Sequence, residues 1–297
     1  YEEALQDFDR AIELNPKNDW AIARRGQTYR LMERYEEALQ DFDRAIELNP
    51  KNDWAIARRG ETYRLMERYE EALQDFDRAI ELEPKYTWAI GQRGKTYQMM
   101  ERYEEALQDF DRAIELNPKN DWAIAIRGQT YRLMERYEEA LKDFDRAIEL
   151  NPKDDWAIAI RGYTYQLMER YEEALQDFDR AIELDSKNDW YQYLRAITYL
   201  ARNQSNAAKT DLDTAIRLAQ QKHTEKPADC NNTFNLALYH LVAGDIPTAR
   251  EFYQIALQHN ASPANIRDAL QDLEDLLKVL GDVPDAKQMI DFLMQNK

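Results

Sequence analysis

The chain has 297 residues, 33% of them charged, and a formal net charge of −17. That acidity argues against a nucleic-acid partner, because phosphate binding is driven by clustered Lys and Arg that release counterions. No apolar run is long enough to span a bilayer, and the acidic, amphipathic opening is not a targeting signal, so no membrane association is expected.

The lone cysteine, Cys230, cannot form an intramolecular disulfide and fits a reducing compartment, so a cytoplasmic setting is expected. Glycines number only eight, Ala, Leu, Glu, Arg and Gln are abundant, and no hairpin signal separates alternating strands, so the fold is expected to be all-α.

The stretch YEEALQDFDRAIELNPKNDWAIARRGQTYRLMER returns nearly letter for letter every 34 residues, which puts Tyr1, Tyr35, Tyr69, Tyr103, Tyr137 and Tyr171 in one column. Units of that length cannot close a core alone and must stack on their neighbours. Residues 1–14 form a partial first repeat, 15–222 six units with the last one degenerate, and 223–297 a divergent unit followed by capping helices. Because Tyr1 already sits in a helix B and no Met precedes it, the chain is expected to be part of a longer polypeptide.

Within a unit, Asp19 is the expected N-cap of helix A, which runs over Trp20 to Glu33 with Ile22, Gly26, Tyr29 and Met32 at helical spacing. Helix B runs over Tyr35 to Leu48 and buries Ala38, Leu39, Phe42, Ala45, Ile46 and Leu48. Asn49-Pro50 stops it, since proline cannot continue a helix. Gly26, Gly60, Gly94, Gly128 and Gly162 serve as spacers where helices approach.

Gly26-x-x-Tyr29, Ala38-x-x-x-Phe42, Ala45 and Pro50 resemble the tetratricopeptide repeat family, and the resemblance covers residues 1–222. It implies a right-handed superhelical solenoid of stacked antiparallel helix pairs, with the helix A faces lining a concave groove that holds an extended peptide. Two departures stand out. Ile22 and Arg25 replace the family's aromatic and leucine, while a tryptophan column, Trp20, Trp54, Trp88, Trp122, Trp156 and Trp190, appears two residues earlier. The array is also similar to the C-terminal sensor regions of bacterial multidomain signalling proteins.

The arginines Arg25, Arg59, Arg93, Arg127, Arg161 and Arg195 are matched by Asp41, Asp75, Asp109, Asp143, Asp177 and Asp211, and ion pairs between packed units are expected. A linker containing Lys226-Pro227 is expected to separate the sixth unit from a looser unit at about 230–261. Beyond it Ala249, Tyr253 and Ala256 keep the helix B register, and two helices broken near Gly281 and Asp282 are expected to cap the stack.

Comparison of the units with one another shows a nearly constant helix B and a helix A that varies from Ala23, Arg24, Gln27, Arg30 and Leu31 onward, which is one helical face. One column runs Arg24, Arg58, Gln92, Ile126, Ile160, Leu194. The next runs Gln27, Glu61, Lys95, Gln129, Tyr163, Ile197, and a third Arg30, Arg64, Gln98, Arg132, Gln166, Leu200. Polarity falls along the chain. Helix A also carries about four Arg against two acids per unit and helix B about five acids against one Arg, so a basic to neutral groove inside an acidic wall is expected.

The expected peptide-binding residues are therefore Trp54, Arg58, Arg64, Trp88, Gln92, Lys95, Gln98, Trp122, Ile126, Arg132, Trp156, Ile160, Tyr163 and Trp190. Tryptophan offers large area at little rotamer cost and arginine pairs with carboxylates, so the ligand is expected to be acidic at one end and apolar at the other. The Lys and Asn clamp that some members of the family use for a C-terminal carboxylate is missing, because its columns hold Ala23, Ala57, Gly91 and Gln27, Glu61, Lys95.

Other motifs carry little. Gly94-Lys95-Thr96 imitates a phosphate loop inside a repeat helix. His223, His240, His259 and Cys230 do not have metal-ligand spacing, so no metal or cofactor is expected. Carboxylates such as Glu36, Glu37, Asp41 and Asp43 recur in every unit and read as a solvated acidic face. Asn203, Asn231 and Asn260 begin chance glycosylation triplets. A non-catalytic peptide-binding scaffold is the leading expectation. Self-association through the exposed N-terminal half-repeat, as in an end-to-end or consensus-designed array, is the alternative.

Overall fold

The computed structural model describes residues 1–259 and 261–295, and Asn260 with its triplet's first position lies outside them. The described residues form helices joined by short turns and divide into two compact units, one over 1–135 and the other from 136 onward. None of the helices is long and apolar enough to cross a membrane.

The first unit holds α1 (Glu2–Leu14), α2 (Asp19–Leu31), α3 (Tyr35–Leu48), α4 (Asp53–Leu65), α5 (Tyr69–Leu82), α6 (Thr87–Met99), α7 (Tyr103–Leu116) and α8 (Asp121–Leu133). Even-numbered helices are the A helices, and α2, α4, α6 and α8 stack on one another in turn. The N-cap of α2 is Asn18 rather than Asp19: the Asn18 side chain accepts from the Ala21 amide at 3.1 Å, and Asp19 becomes a first-turn acid that favours the helix dipole. Helix A also ends earlier than Glu33. That residue has φ 60°, and the Arg34 amide bonds back to the Tyr29 carbonyl at 2.9 Å, a left-handed stop of the Schellman type.

Helix B buries Ala38, Leu39, Phe42, Ala45 and Ile46 as expected, whereas Leu48 at its last turn is 39% exposed. Phe42, Phe76 and Phe110 are wholly buried, each contributing about 1.5–3 kcal/mol of apolar transfer. They sit against the glycine spacers. A Cβ built on Gly60 would lie 3.1 Å from the Asp75 Cβ and 3.2 Å from the Ala72 carbonyl, so glycine suits this close approach of A and B, although the degenerate sixth unit accommodates Ala196 at the same position.

The arginine column joins three helices. Arg59 Nε and Nη2 donate to the two oxygens of Asp75 at 2.7 and 2.6 Å, and Nη1 donates to Asp43 at 2.6 Å. The expected Arg–Asp pair is thus made within one repeat, from α4 to α5, and the link between repeats is a second aspartate on α3. Asp41 is likewise buried at 5% exposure, so it belongs to this triad and not to a solvated face.

The second unit holds α9 (Tyr137–Leu150), α10 (Asp155–Leu167), α11 (Tyr171–Leu184), α12 (Asp189–Ala201), α13 (Ser205–Glu225), α14 (Cys230–Val242), α15 (Ile246–Gln258), α16 (Pro263–Leu280) and α17 (Pro284–Met294). Here α10, α12 and α14 are the stacked A helices. α16 starts at a Ser262–Asn265 capping box and lies across α10, α12 and α14, with α17 packed on it. The last two helices therefore cover the helix A face of this unit. Leu273, Leu276, Met289 and Leu293 join the same core as Leu194, Ile197 and Phe234.

Candidate functional site

In the first unit the helix A face alternates indole and guanidinium. The Arg24 guanidinium lies 4.3 Å from the centroid of Trp54, and that of Arg58 lies 3.8 Å from the centroid of Trp88. Trp88 and Trp122 also meet Phe76 and Phe110 of the preceding helix B edge-on, at 6.5 Å each. The tryptophans are thus cement between repeats on one side and a half-buried surface on the other.

The variable columns of α2, α4 and α6 bring Arg24, Arg30, Arg58, Arg64 and Lys95 together with a single carboxylate, Glu61. Glu61 takes Arg58 at 2.9 Å and Arg30 at 3.5 Å. Arg64 is only 7% exposed, its Nε has no hydrogen-bond partner, and its Nη1 reaches Met99 Sδ at 3.6 Å. Lys95, half-buried beside it, is held below the ordinary lysine range by burial and then by the charge of Arg64. Burial likewise lowers Arg64. Glu61 offsets part of this charge on both Arg64 and Lys95, and the cations in these columns still outnumber it, an excess that an anionic group would offset further.

Beside Arg58, whose guanidinium lies on Trp88, is a cavity of about 400 Å³ lined by Thr87, Trp88, Gln92, Asn117, Asn120 and Trp122. The repeat that opens it differs from its neighbours at Tyr86, Thr87, Gly91 and Gln92 together. A Cβ on Gly91 would stand 2.7 Å from the Trp122 ring, so the missing methyl lets this indole lie against the α6 backbone. Gln92 is 8% exposed. Gln98 points inward: its amide donates to Thr130 Oγ1 at 2.8 Å and the Ile126 carbonyl at 3.4 Å, making it a latch between α6 and α8. Ile126 is 5% exposed, while Trp54 and Arg132 are partly exposed.

The second unit places its expected residues differently. Tyr163 is 6% exposed and donates its hydroxyl to Asp275 of α16, which also accepts from Gln271 Nε2 at 3.0 Å. Trp190 meets Tyr163 edge-on at 6.0 Å, Ile160 is 3% exposed, and Trp156 is half-buried. The apolar end of the expected groove is therefore occupied by the chain itself. Sequence reasoning missed Asp275 and α16 as partners of the helix A face; the signal was the apolar spacing Ile266, Ala269, Leu270, Leu273 and Leu276, one helical stripe in need of a cover.

Among the described residues no group of three His, Cys, Asp or Glu side chains is placed to hold a metal ion.

Family models for the tetratricopeptide repeat match residues 20–52, 54–86, 88–120, 123–154 and 157–188, and a second tetratricopeptide model matches 193–265. A search of curated proteins returned no match. Among solved structures, yeast Tom70 superposes with a TM-score of 0.62 at 19% identity, over 97% of this chain and 61% of that one. A tetratricopeptide repeat protein from Parabacteroides merdae gives 0.60 at 18%, over 93% and 98%. The pilF protein of Pseudomonas aeruginosa gives 0.57 at 18%, over 70% and 92%. At these identities the likeness speaks to the fold alone. The repeat models and the stacked helix pairs together establish that this chain belongs to the tetratricopeptide repeat family, whose fold is that of a protein-interaction scaffold.

Proposed function

We propose that the chain is a non-catalytic scaffold that binds an acidic peptide segment on the helix A face of its first unit. Arg58, Arg64 and Lys95 hold carboxylates, and the cavity between Trp88 and Trp122 takes an apolar side chain. Arg64, 7% exposed, and Lys95 beside it share Glu61 as the nearby carboxylate, and because Glu61 is already paired with Arg58 and Arg30, the excess positive charge on α2, α4 and α6 is the observation behind this reading. Affinity in the micromolar range is expected, since a few anchors are offset by the ordering of the peptide.

A peptide-display screen against the full chain tests it, with Arg58→Ala and Lys95→Ala as controls. Enrichment of Asp- and Glu-containing peptides that both substitutions abolish supports the reading. Absence of enrichment, or binding indifferent to both, removes it. Self-association is the second reading, supported by the exposure of Tyr1 at 68%, Leu14 at 73% and Trp20 at 58% on one end of the stack. A mass that rises with concentration in sedimentation, and falls back in Leu14→Glu, would favour it.

A further inference from the structure

The cavity beside Trp88 and Trp122 sits where one repeat has lost atoms at positions that its neighbours fill. In the first repeat the Asp19 carboxylate accepts from the Asn49 and Asn52 side-chain amides of the following turn, at 2.9 and 3.4 Å. Asp53, Asp121, Asp155 and Asp189 keep that column acidic, and Thr87 breaks it. The turn that follows still carries both asparagines, as Asn117 and Asn120. Their side-chain oxygens accept from the Lys119 and Ala123 amides at 3.3 and 3.1 Å, while their side-chain nitrogens have no acceptor among the described residues. The Thr87 hydroxyl is turned away, donating to the Lys85 carbonyl at 3.2 Å.

The second loss is a guanidinium. Arg24 covers Trp54 and Arg58 covers Trp88, at 4.3 and 3.8 Å from the ring centroids, but the residue in register for Trp122 is Gln92. Gln92 is shorter and neutral, only 8% exposed, and its side chain makes no hydrogen bond among the described residues. A buried carboxamide without a partner is unfavourable, and the cavity it lines is where a partner can enter. The third loss is the Cβ that Gly91 lacks, which lets Trp122 lie against α6.

We propose that this cavity binds a small aromatic carboxylate. The ligand's carboxylate takes the place of the missing aspartate and accepts from the Asn117 and Asn120 nitrogens. Its ring lies on the Trp122 indole, where the preceding repeats place a guanidinium, and a polar group on the ring meets Gln92. The volume of about 400 Å³ lies within the range of small-molecule sites. The setting suits an acid, because every other repeat keeps a carboxylate of its own in this column and Arg58 adds positive charge on Trp88. This goes beyond the acidic-peptide reading and uses neither Lys95 nor Arg64. A molecule in this space excludes the apolar side chain assigned to it above, so the two ligands compete.

Para-hydroxybenzoate and indole acetate are the probes, titrated against the full chain by ligand-observed NMR. Para-hydroxybenzamide, which lacks the charge, and cyclohexanecarboxylate, which lacks the aromatic ring, are the controls. The expected result is a dissociation constant below about 1 mM for at least one probe, with both controls at least about tenfold weaker. Thr87→Asp should weaken the probe at least about tenfold, because the chain's own carboxylate then takes the asparagines. Asn117→Asp, the residue that stands in this column as Asp185, should do the same by removing a donor. The array already accommodates both replacements at equivalent positions, and circular dichroism confirms that the variants fold. Lys95→Ala, which the peptide reading requires to abolish peptide binding, should leave the probe's affinity unchanged. No saturable binding of either probe, controls that bind as tightly, or binding unaltered by Thr87→Asp overturns the inference and leaves the acidic-peptide reading to the display screen. Probe binding lost in Lys95→Ala and kept in Thr87→Asp also overturns it, by moving the carboxylate to the cationic columns.

Discussion

Arg93 shows how a charged residue becomes part of a core. Its fork donates to both oxygens of Asp109, which is 4% exposed, and its third nitrogen reaches Asp77 at 2.6 Å. Burial pushes the Asp109 carboxyl up, while the hydrogen bonds to Asp109 hold the guanidinium above its ordinary range. Removing one partner leaves the other buried and uncompensated. Arg93→Leu should therefore destabilise by about 3 kcal/mol, with Arg93→Leu/Asp109→Leu recovering part of it, as read by chemical denaturation. Acidic-peptide affinity should change far less than stability. Lys95 is the opposite case. Because its pKa in the folded chain lies below that of an unfolded lysine, the native state binds fewer protons between those two values, and the stability this residue contributes rises with pH across that interval. Lys95→Met should remove that slope and stabilise the free protein by about 1 kcal/mol, while weakening the acidic ligand. A thermal melt at several pH values checks both.

At the scale of the helix pair, the 34-residue period was sufficient to find both helices, their antiparallel packing and the glycine spacers. Helix B was legible to the residue because Tyr35 and Asn49-Pro50 punctuate it. Helix A was less so: Asp19 was the expected cap, and the side-chain bond from the Ala21 amide puts the cap one residue earlier, at Asn18. The left-handed stop was not legible, since it falls on Glu33, Glu67, Glu101, Glu135 and Glu169, residues with no preference for that conformation. Gly244 closes α14 in the same way, with the Asp245 amide bonding to the His240 carbonyl at 2.9 Å. Replacing Glu67 by Gly should accordingly stabilise the array by about 0.5–1 kcal/mol; a lower denaturation midpoint would show that the glutamate side chain does more than the backbone strain suggests.

At the scale of the whole chain, what the sequence hid was long-range. The variable columns were visible by comparing repeats, but Tyr163 and Asp275 are 112 residues apart, and a periodic C-terminal helix looks the same whether it closes the end of a stack or crosses its face. Ile160 and Tyr163, expected to face a ligand, are therefore interior in the second unit, whereas Arg58 and Lys95 of the first unit are partly exposed. Tyr163→Phe should cost about 1–3 kcal/mol, because Asp275 then loses a buried donor. The loss should appear in the second unit, as faster hydrogen exchange in α16 and α10 with that of α4 and α6 unchanged.

On the reading proposed above, Lys95 and Arg64 receive a ligand carboxylate. Carbodiimide coupling inserts no spacer and favours an amine already held against the activated carboxylate, so coupling a display-enriched acidic peptide to the full chain and mapping the bonds by mass spectrometry tests this. Attachment at Lys95, reduced when Arg64 is changed to Gln, is the expected result. Attachment confined to the exposed turn lysines Lys17, Lys51 and Lys119, unaltered by that change, would contradict it.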